Sequence, residues 1–161
     1  MLETLLLAVL GSAESTVVTV TERTVSSAWY MPATVQTGQK EYEGESLYRG
    51  GHYRKSDEGT RKCIRDRESN NHYHAVNRSG TYRGAYQMSP ELAVGAGWMI
   101  QKDLIAVGAP KGEARAVGES LRTTSVNKWH PFWQDYAFWI VWDKGRGKHH
   151  WGTFGQTHAC Y

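Results

Sequence analysis

Residues 56–93 read SDEGTRKCIRDRESNNHYHAVNRSGTYRGAYQMSPELA, and the division of this stretch decides the fold. Ser56 is a candidate N-cap. Asp57 and Glu58 follow it, acids that suit the positive end of a first helical turn. The helix predicted from there passes through Cys63, Ile64 and Arg67, which share a face, and stops at Asn70-Asn71. Glu68 falls in its last turn. In residues 72–87, Tyr73, Ala75, Tyr82 and Tyr86 flank the turn-forming cluster Asn77-Arg78-Ser79-Gly80, a pattern that predicts a small β-hairpin. Ser89-Pro90-Glu91 then supplies the N-cap, N1 and N2 positions of another helix.

Downstream, helices are predicted around residues 98–107 and 111–121, with Gly95, Gly97, Gly108, Gly112 and Gly118 near their boundaries. A later helix opens at His130-Pro131, runs PFWQDYAFWIVWDK and stops at Gly145. Apolar residues cover most of its circumference, so it belongs inside the core, with Trp133, Tyr136, Ala137 and Ile140 at the expected centre. Residues 147–161 read as a loop that returns Cys160 to the first helix. Upstream, residues 15–25 (STVVTVTERTV) and 27–35 read as strands, and 36–56 as a linker rich in Gly, Glu, Tyr and Arg. The expected fold class is α+β: a mainly helical domain over residues 57–161 with one small β-hairpin. A strand-and-loop extension over residues 1–56 precedes it.

The chain has 161 residues, which suits one compact domain with an extension. Its seven Trp and nine Tyr suit either a core or the apolar faces of sugar rings. A net charge of +3 favours approach to anionic polymers at low salt, but no Lys/Arg stripe marks a nucleic-acid surface. The two cysteines, Cys63 and Cys160, fit a disulfide in an oxidising compartment or two buried free thiols. No CxxC or Cys/His spacing points to a metal, and no cofactor is expected. No run reaches the ~20 apolar residues of a membrane span. Residues 4–10 (TLLLAVL) precede Gly11-Ser12-Ala13, a small-residue pattern of leader cleavage. Glu3 and the lack of an early Lys or Arg argue for an ordinary buried segment instead.

Glu68 is the residue with chemistry to offer. The negative end of a helix dipole and burial against aromatic rings both disfavour a charged carboxylate. An acid that keeps its proton can donate it. Here Glu68 sits in an ordered series: CIRDRES at 63–69, the polar hairpin, GAYQM at 84–88, SPELA at 89–93, the late Gln134-Asp135-Tyr136-Ala137 helix and the terminal Cys160. The series resembles the lysozyme-like superfamily of lytic transglycosylases and resuscitation-promoting factors, as in actinobacterial and actinophage wall-lytic proteins. The resemblance spans residues 57–161, about two-thirds of the chain. It implies a lysozyme-like domain in which Glu68 is the general acid/base for cutting the MurNAc-GlcNAc β-1,4 bond of peptidoglycan. Ser69 would brace the turn after it. Gln87 would hydrogen-bond sugar from the facing strand, and Tyr86 would bury Glu68 or stack on a ring. The resemblance also implies a Cys63–Cys160 disulfide.

Further candidates surround this centre. Asn77 and Arg83 could hold polar sugar groups or peptide stems, and Trp129, Trp133 and Trp151 could be sugar platforms, whereas Trp139 and Trp142 look like core. His72 and His74 fit an exposed strand face. Between Glu68 and Glu91 there is no Asp or Glu, although a two-carboxylate glycosidase needs a second acid across the cleft. A single-acid route is therefore expected, completed by water or by the sugar's own C6 hydroxyl. The same residues fit a phage virion or tail protein that binds the wall without cutting it, with residues 1–56 meeting other virion proteins. Either way the expected partner is the glycan strand of peptidoglycan, with no nucleic acid and no membrane span. The expected place is extracellular, secreted or on a phage particle.

Overall fold

A computed structural model describes residues 44–152 and 160–161. Four helices, α1 (Glu58–Ser69), α2 (Pro90–Ala106), α3 (Lys111–Thr123) and α4 (Pro131–Trp142), build it. Short 3-10 turns lie at Lys55–Asp57, Val126–Lys128, Asp143–Gly145 and Lys148–Trp151. No sheet is present among the described residues, so the α+β expectation is corrected to a helical body. The strands expected at 15–25 and 27–35 and the apolar run at 4–10 lie outside the described residues. Among the described residues no helix is long and apolar enough to cross a membrane.

The core forms around α4, in which every residue is buried. Pro131 occupies its first turn, and the His130 ring accepts the Phe132 N–H at 3.2 Å. The helix stops at Trp142, short of the expected Gly145, because Asp143 (φ 42°) and Lys144 (φ 59°) already turn left-handed. Asp tolerates that conformation, and Arg146 fastens it through two hydrogen bonds of 2.7 and 2.6 Å to the Asp143 carboxylate.

Residues before 57 join this core, so the packed body starts upstream of the boundary drawn at 56/57. Tyr48 is buried and stacks on Tyr136, centroids 4.0 Å apart. The N–H groups of Ser46 and Leu47 donate to Glu58 (2.9 Å) and Asp135 (2.8 Å). Sequence composition masked this segment because its anchors are backbone donors. The start of α1 also differs from expectation: Asp57 holds the N-cap position, and Ser56 donates to the Asp57 carboxylate at 2.8 Å.

The predicted helices beginning at Ser89 and near Trp98 are one helix, α2, whose first turn is capped by Ser89 Oγ accepting the Leu92 N–H at 3.2 Å. Two glycines taken as boundary marks lie where α2 meets α3. A Cβ on Gly97 would stand 2.8 Å from Arg122 Cγ and 3.5 Å from the Gly118 carbonyl oxygen. They stay inside helices because close packing outweighs their poor helix propensity.

The expected hairpin is absent. Residues 72–88 make turns joined by two isolated antiparallel bridges, Val76 with Arg83 and Arg83 with Met88. A ladder needs consecutive extended residues, but Gly80 (φ 74°), Gly84 (φ 78°) and Gln87 (φ 45°) each reverse the chain first. Gly84 is also hemmed in: a Cβ there would lie 2.5 Å from Gln134 Oε1 and 2.6 Å from Val126 Cγ1. Gln134 cannot step aside without breaking the bonds it makes to the Ala85 N–H and the Tyr73 and Val126 carbonyls. Gly84→Ala is therefore expected to cost about 2–4 kcal/mol, from the left-handed strain plus overpacking. Urea unfolding measures it; a loss below about 0.5 kcal/mol would show that the neighbours repack freely.

Cys63 and Cys160 are joined, with sulfurs 2.15 Å and Cα atoms 5.6 Å apart. The crosslink spans 97 residues and ties α1 to the chain end. Such crosslinks contribute about 2–4 kcal/mol.

Candidate active site

Glu68 lies in the last turn of α1, one residue before the end, with its side chain 20% exposed. The helix ends there because Asn70 (φ 52°) and Asn71 (φ 67°) turn left-handed, a conformation Asn adopts at low cost. Ser69 fixes the position of this end. Its hydroxyl bridges the Arg65 carbonyl at 3.0 Å and the Ala85 carbonyl at 2.9 Å, which brings the helix terminus against the 84–88 turn. Gln87 stands on this turn, partly exposed, with its amide N–H donating to the Gly84 carbonyl at 2.9 Å.

The Glu68 carboxylate is not alone. Arg67 donates to its Oε1 from Nε (3.2 Å) and Nη2 (2.8 Å), and the same Nη2 donates to the Trp151 carbonyl at 2.8 Å. Trp151 in turn donates its indole N–H to the Tyr86 carbonyl at 2.9 Å, and the Tyr161 hydroxyl donates to the Trp151 carbonyl at 2.8 Å. Because Cys160 precedes Tyr161, the disulfide ends in the same cluster that holds Arg67 against Glu68. Asp66 is exposed, takes a hydrogen bond from Asn71 (2.8 Å) and sits two residues before Glu68, on another side of the helix.

Behind the helix end lies a buried polar network that sequence reading missed. Asp135 is fully buried. Its Oδ1 accepts from the hydroxyls of Tyr86 (2.5 Å) and Tyr73 (2.7 Å) and from Arg61 (3.4 Å). Arg61 is also fully buried and grips Glu58 with two bonds of 3.0 and 2.6 Å. Arg65 donates to the Tyr73 hydroxyl at 2.9 Å. Burial, and then the charge of Asp135, push the Tyr73 and Tyr86 hydroxyls above the usual tyrosine range, so both remain donors to the carboxylate. Two signals pointed here: a Gln-Asp pair inside an otherwise apolar helix, and Glu58, Arg61 and Arg65 at helical spacing on α1. Buried charges need partners, and these supply one another.

Several substrate-binding expectations are overturned by burial. Tyr86 is 1% exposed, with its ring stacked on Phe138 and its hydroxyl committed to Asp135 and Arg61, so it cannot meet a sugar. Trp133 is fully buried and stacked with Tyr136. Trp129 and Trp151 are buried as well, with their indole N–H groups donating to the Thr124 and Tyr86 carbonyls. In a small core, large rings do more as packing than as platforms. Asn77 uses its side-chain oxygen to accept from the Tyr82 N–H (3.1 Å) and the Ser79 hydroxyl (3.2 Å), which makes it a turn former. Among the described residues the exposed large aromatic rings are Tyr82, Trp98 and Tyr161, none of them among the sugar platforms expected from the sequence.

Among the described residues no group of three or more His, Cys, Asp or Glu side chains could hold a metal ion. Comparison with known proteins finds no matching family, no similar characterised protein and no similar solved structure.

Proposed function

We propose that this protein cuts the glycan strands of peptidoglycan at the MurNAc-GlcNAc β-1,4 bond, as a muramidase or lytic transglycosylase of lysozyme-like kind. The observation that carries the reading is a partly exposed Glu68 at a helix end that Ser69 locks to the turn bearing Gln87. Glu68 protonates the leaving oxygen as the bond breaks. The resulting cation at the sugar is stabilised by the substrate's own N-acetyl group. Glu68 then acts as base, deprotonating either water or the sugar's C6 hydroxyl; the second route yields an anhydro sugar. Gln87 holds a sugar hydroxyl beside the cleavage point. The Cys63–Cys160 crosslink suits an extracellular setting, secreted or on a virion.

The Arg67 contact favours a second reading, in which Glu68 is half of a structural ion pair and the domain binds the wall as a virion component without cutting it. One assay separates the two: incubation of the full chain with purified peptidoglycan, followed by mass analysis of the soluble fraction. Fragments ending in reducing or anhydro MurNAc are expected, and the two ends differ by one water. Sedimentation of the protein with the wall and no released fragment would leave the second reading standing.

A further inference from the structure

A cleft of about 240 Å³ opens between the C-terminal end of α3 and the 81–88 turns. Arg83 and Arg122 line it, together with Thr81, Thr123, Thr124 and Ser125, and no Asp or Glu does. Two arginines thus share one concave surface with four hydroxyl-bearing residues, beside the apolar Met88, Pro90, Ala93, Val94 and Val126. Neither forms an ion pair with a carboxylate among the described residues, unlike Arg61 and Arg67.

Both arginines are held in place by neutral groups. Arg83 donates from Nε to the Gly80 carbonyl (2.9 Å) and from Nη1 to the Ser125 hydroxyl (2.6 Å). Arg122 donates from Nη1 to Gln101 (3.0 Å) and lies flat over the Trp98 ring, 3.6 Å from its centroid. These contacts fix the two forks at little further entropic cost on binding, and leave part of each fork for a ligand. Planar forks of this kind suit carboxylates, which accept two parallel N–H bonds.

The cleft shares a wall with the turn that bears Gln87. Met88 lines it and pairs with Arg83 through two backbone bonds (3.1 and 3.0 Å), and Gln87 is the preceding residue. We infer that this cleft is a subsite for the carboxylates of the peptide stem carried by the glycan strand. The inference rests on the peptidoglycan reading.

Calorimetric titration of the full chain tests it, with four probes: stem peptide released from purified wall by an amidase, the same peptide with its carboxyls amidated, stem-free glycan oligomers, and inorganic phosphate. The free peptide is expected to bind, and the amidated one to bind about tenfold more weakly or not at all. Arg122→Gln and Arg83→Gln are each expected to weaken the peptide about tenfold, and Arg122→Gln, which lies outside the turn bearing Gln87, to leave stem-free glycan affinity unchanged. Equal affinity for native and amidated peptides overturns the subsite and needs no variant that folds. So does unaltered peptide binding in both folded variants, or phosphate displacing the peptide at equal concentration. Peptide capture through the arginines with no binding or cleavage of glycan leaves the subsite standing and removes the glycosidase reading; the reverse pattern removes the subsite alone.

Discussion

Glu68→Gln is expected to cut the release of soluble sugar fragments from peptidoglycan by roughly 10²–10⁴-fold, the usual contribution of a positioned acid/base. The substitution keeps the volume of the side chain and one acceptor oxygen but carries no transferable proton. The fold should survive. The charge interaction lost is with Arg67, the adjacent residue, at a place where the two side chains are 13% and 20% exposed. The replacement keeps an acceptor oxygen for Arg67, whose Nη2 also donates to the Trp151 carbonyl, so the guanidinium is not left without partners. Ser69, the asparagine turn and the disulfide, which hold the helix end, are untouched by the change. Retention of most wild-type activity in a folded Glu68→Gln protein would remove Glu68 from the mechanism. A loss of activity that tracks a loss of melting temperature would instead mark Glu68 as structural, and circular dichroism on the same sample separates the two.

The second large effect belongs to a residue that touches no candidate substrate group. Asp135→Ala removes the acceptor shared by Tyr73, Tyr86, Arg61 and the Leu47 N–H. Arg61 stays fully buried and keeps Glu58, but it loses its second acid. Taking one partner from a buried charge pair costs about 3–5 kcal/mol, a large fraction of the roughly 5–15 kcal/mol that holds a domain together. Urea unfolding of Asp135→Ala is therefore expected to lower the midpoint sharply, with little folded protein at 37 °C. Asp135→Asn keeps an acceptor oxygen and should fall between that variant and wild type. A change below about 1 kcal/mol in Asp135→Ala would show that the tyrosines and Arg61 find other acceptors, and that the network is dispensable.

This network explains why parts of the site were legible from sequence and others were not. The helix bearing Glu68, its end at the two asparagines and the return of the chain at Ser69 all follow from residues within one or two turns of each other. Pro90 and Pro131 at helix starts and the Ser89 cap are equally local. That Tyr86 and Trp133 face inward is not legible locally, because an aromatic ring carries no mark of which way it points. Tyr86 turns inward because Asp135, 49 residues later, waits there as an acceptor. The predicted hairpin failed for a related reason. Gly84 reverses the chain as well, at φ 78°, where Gln134 and Val126 leave no room for a side chain.

The sequence by itself determined most of the helical segments, the largely apolar α4 as the central element, the pair of cysteines available for crosslinking and the position of Glu68 at a helix end. Capping, periodicity and helix breaking act over a few residues, so they can be read along the chain. Only the tertiary structure decided which charges are buried together, which aromatics are core, where α2 and α3 approach through Gly97 and Gly118, and that Arg67 rests on Glu68 under the Trp151 carbonyl. Those outcomes depend on partners far apart in the chain, such as Arg61 and Asp135 at a separation of 74 residues. A buried charge is tolerable only where its counterpart arrives, and local sequence does not say where that is.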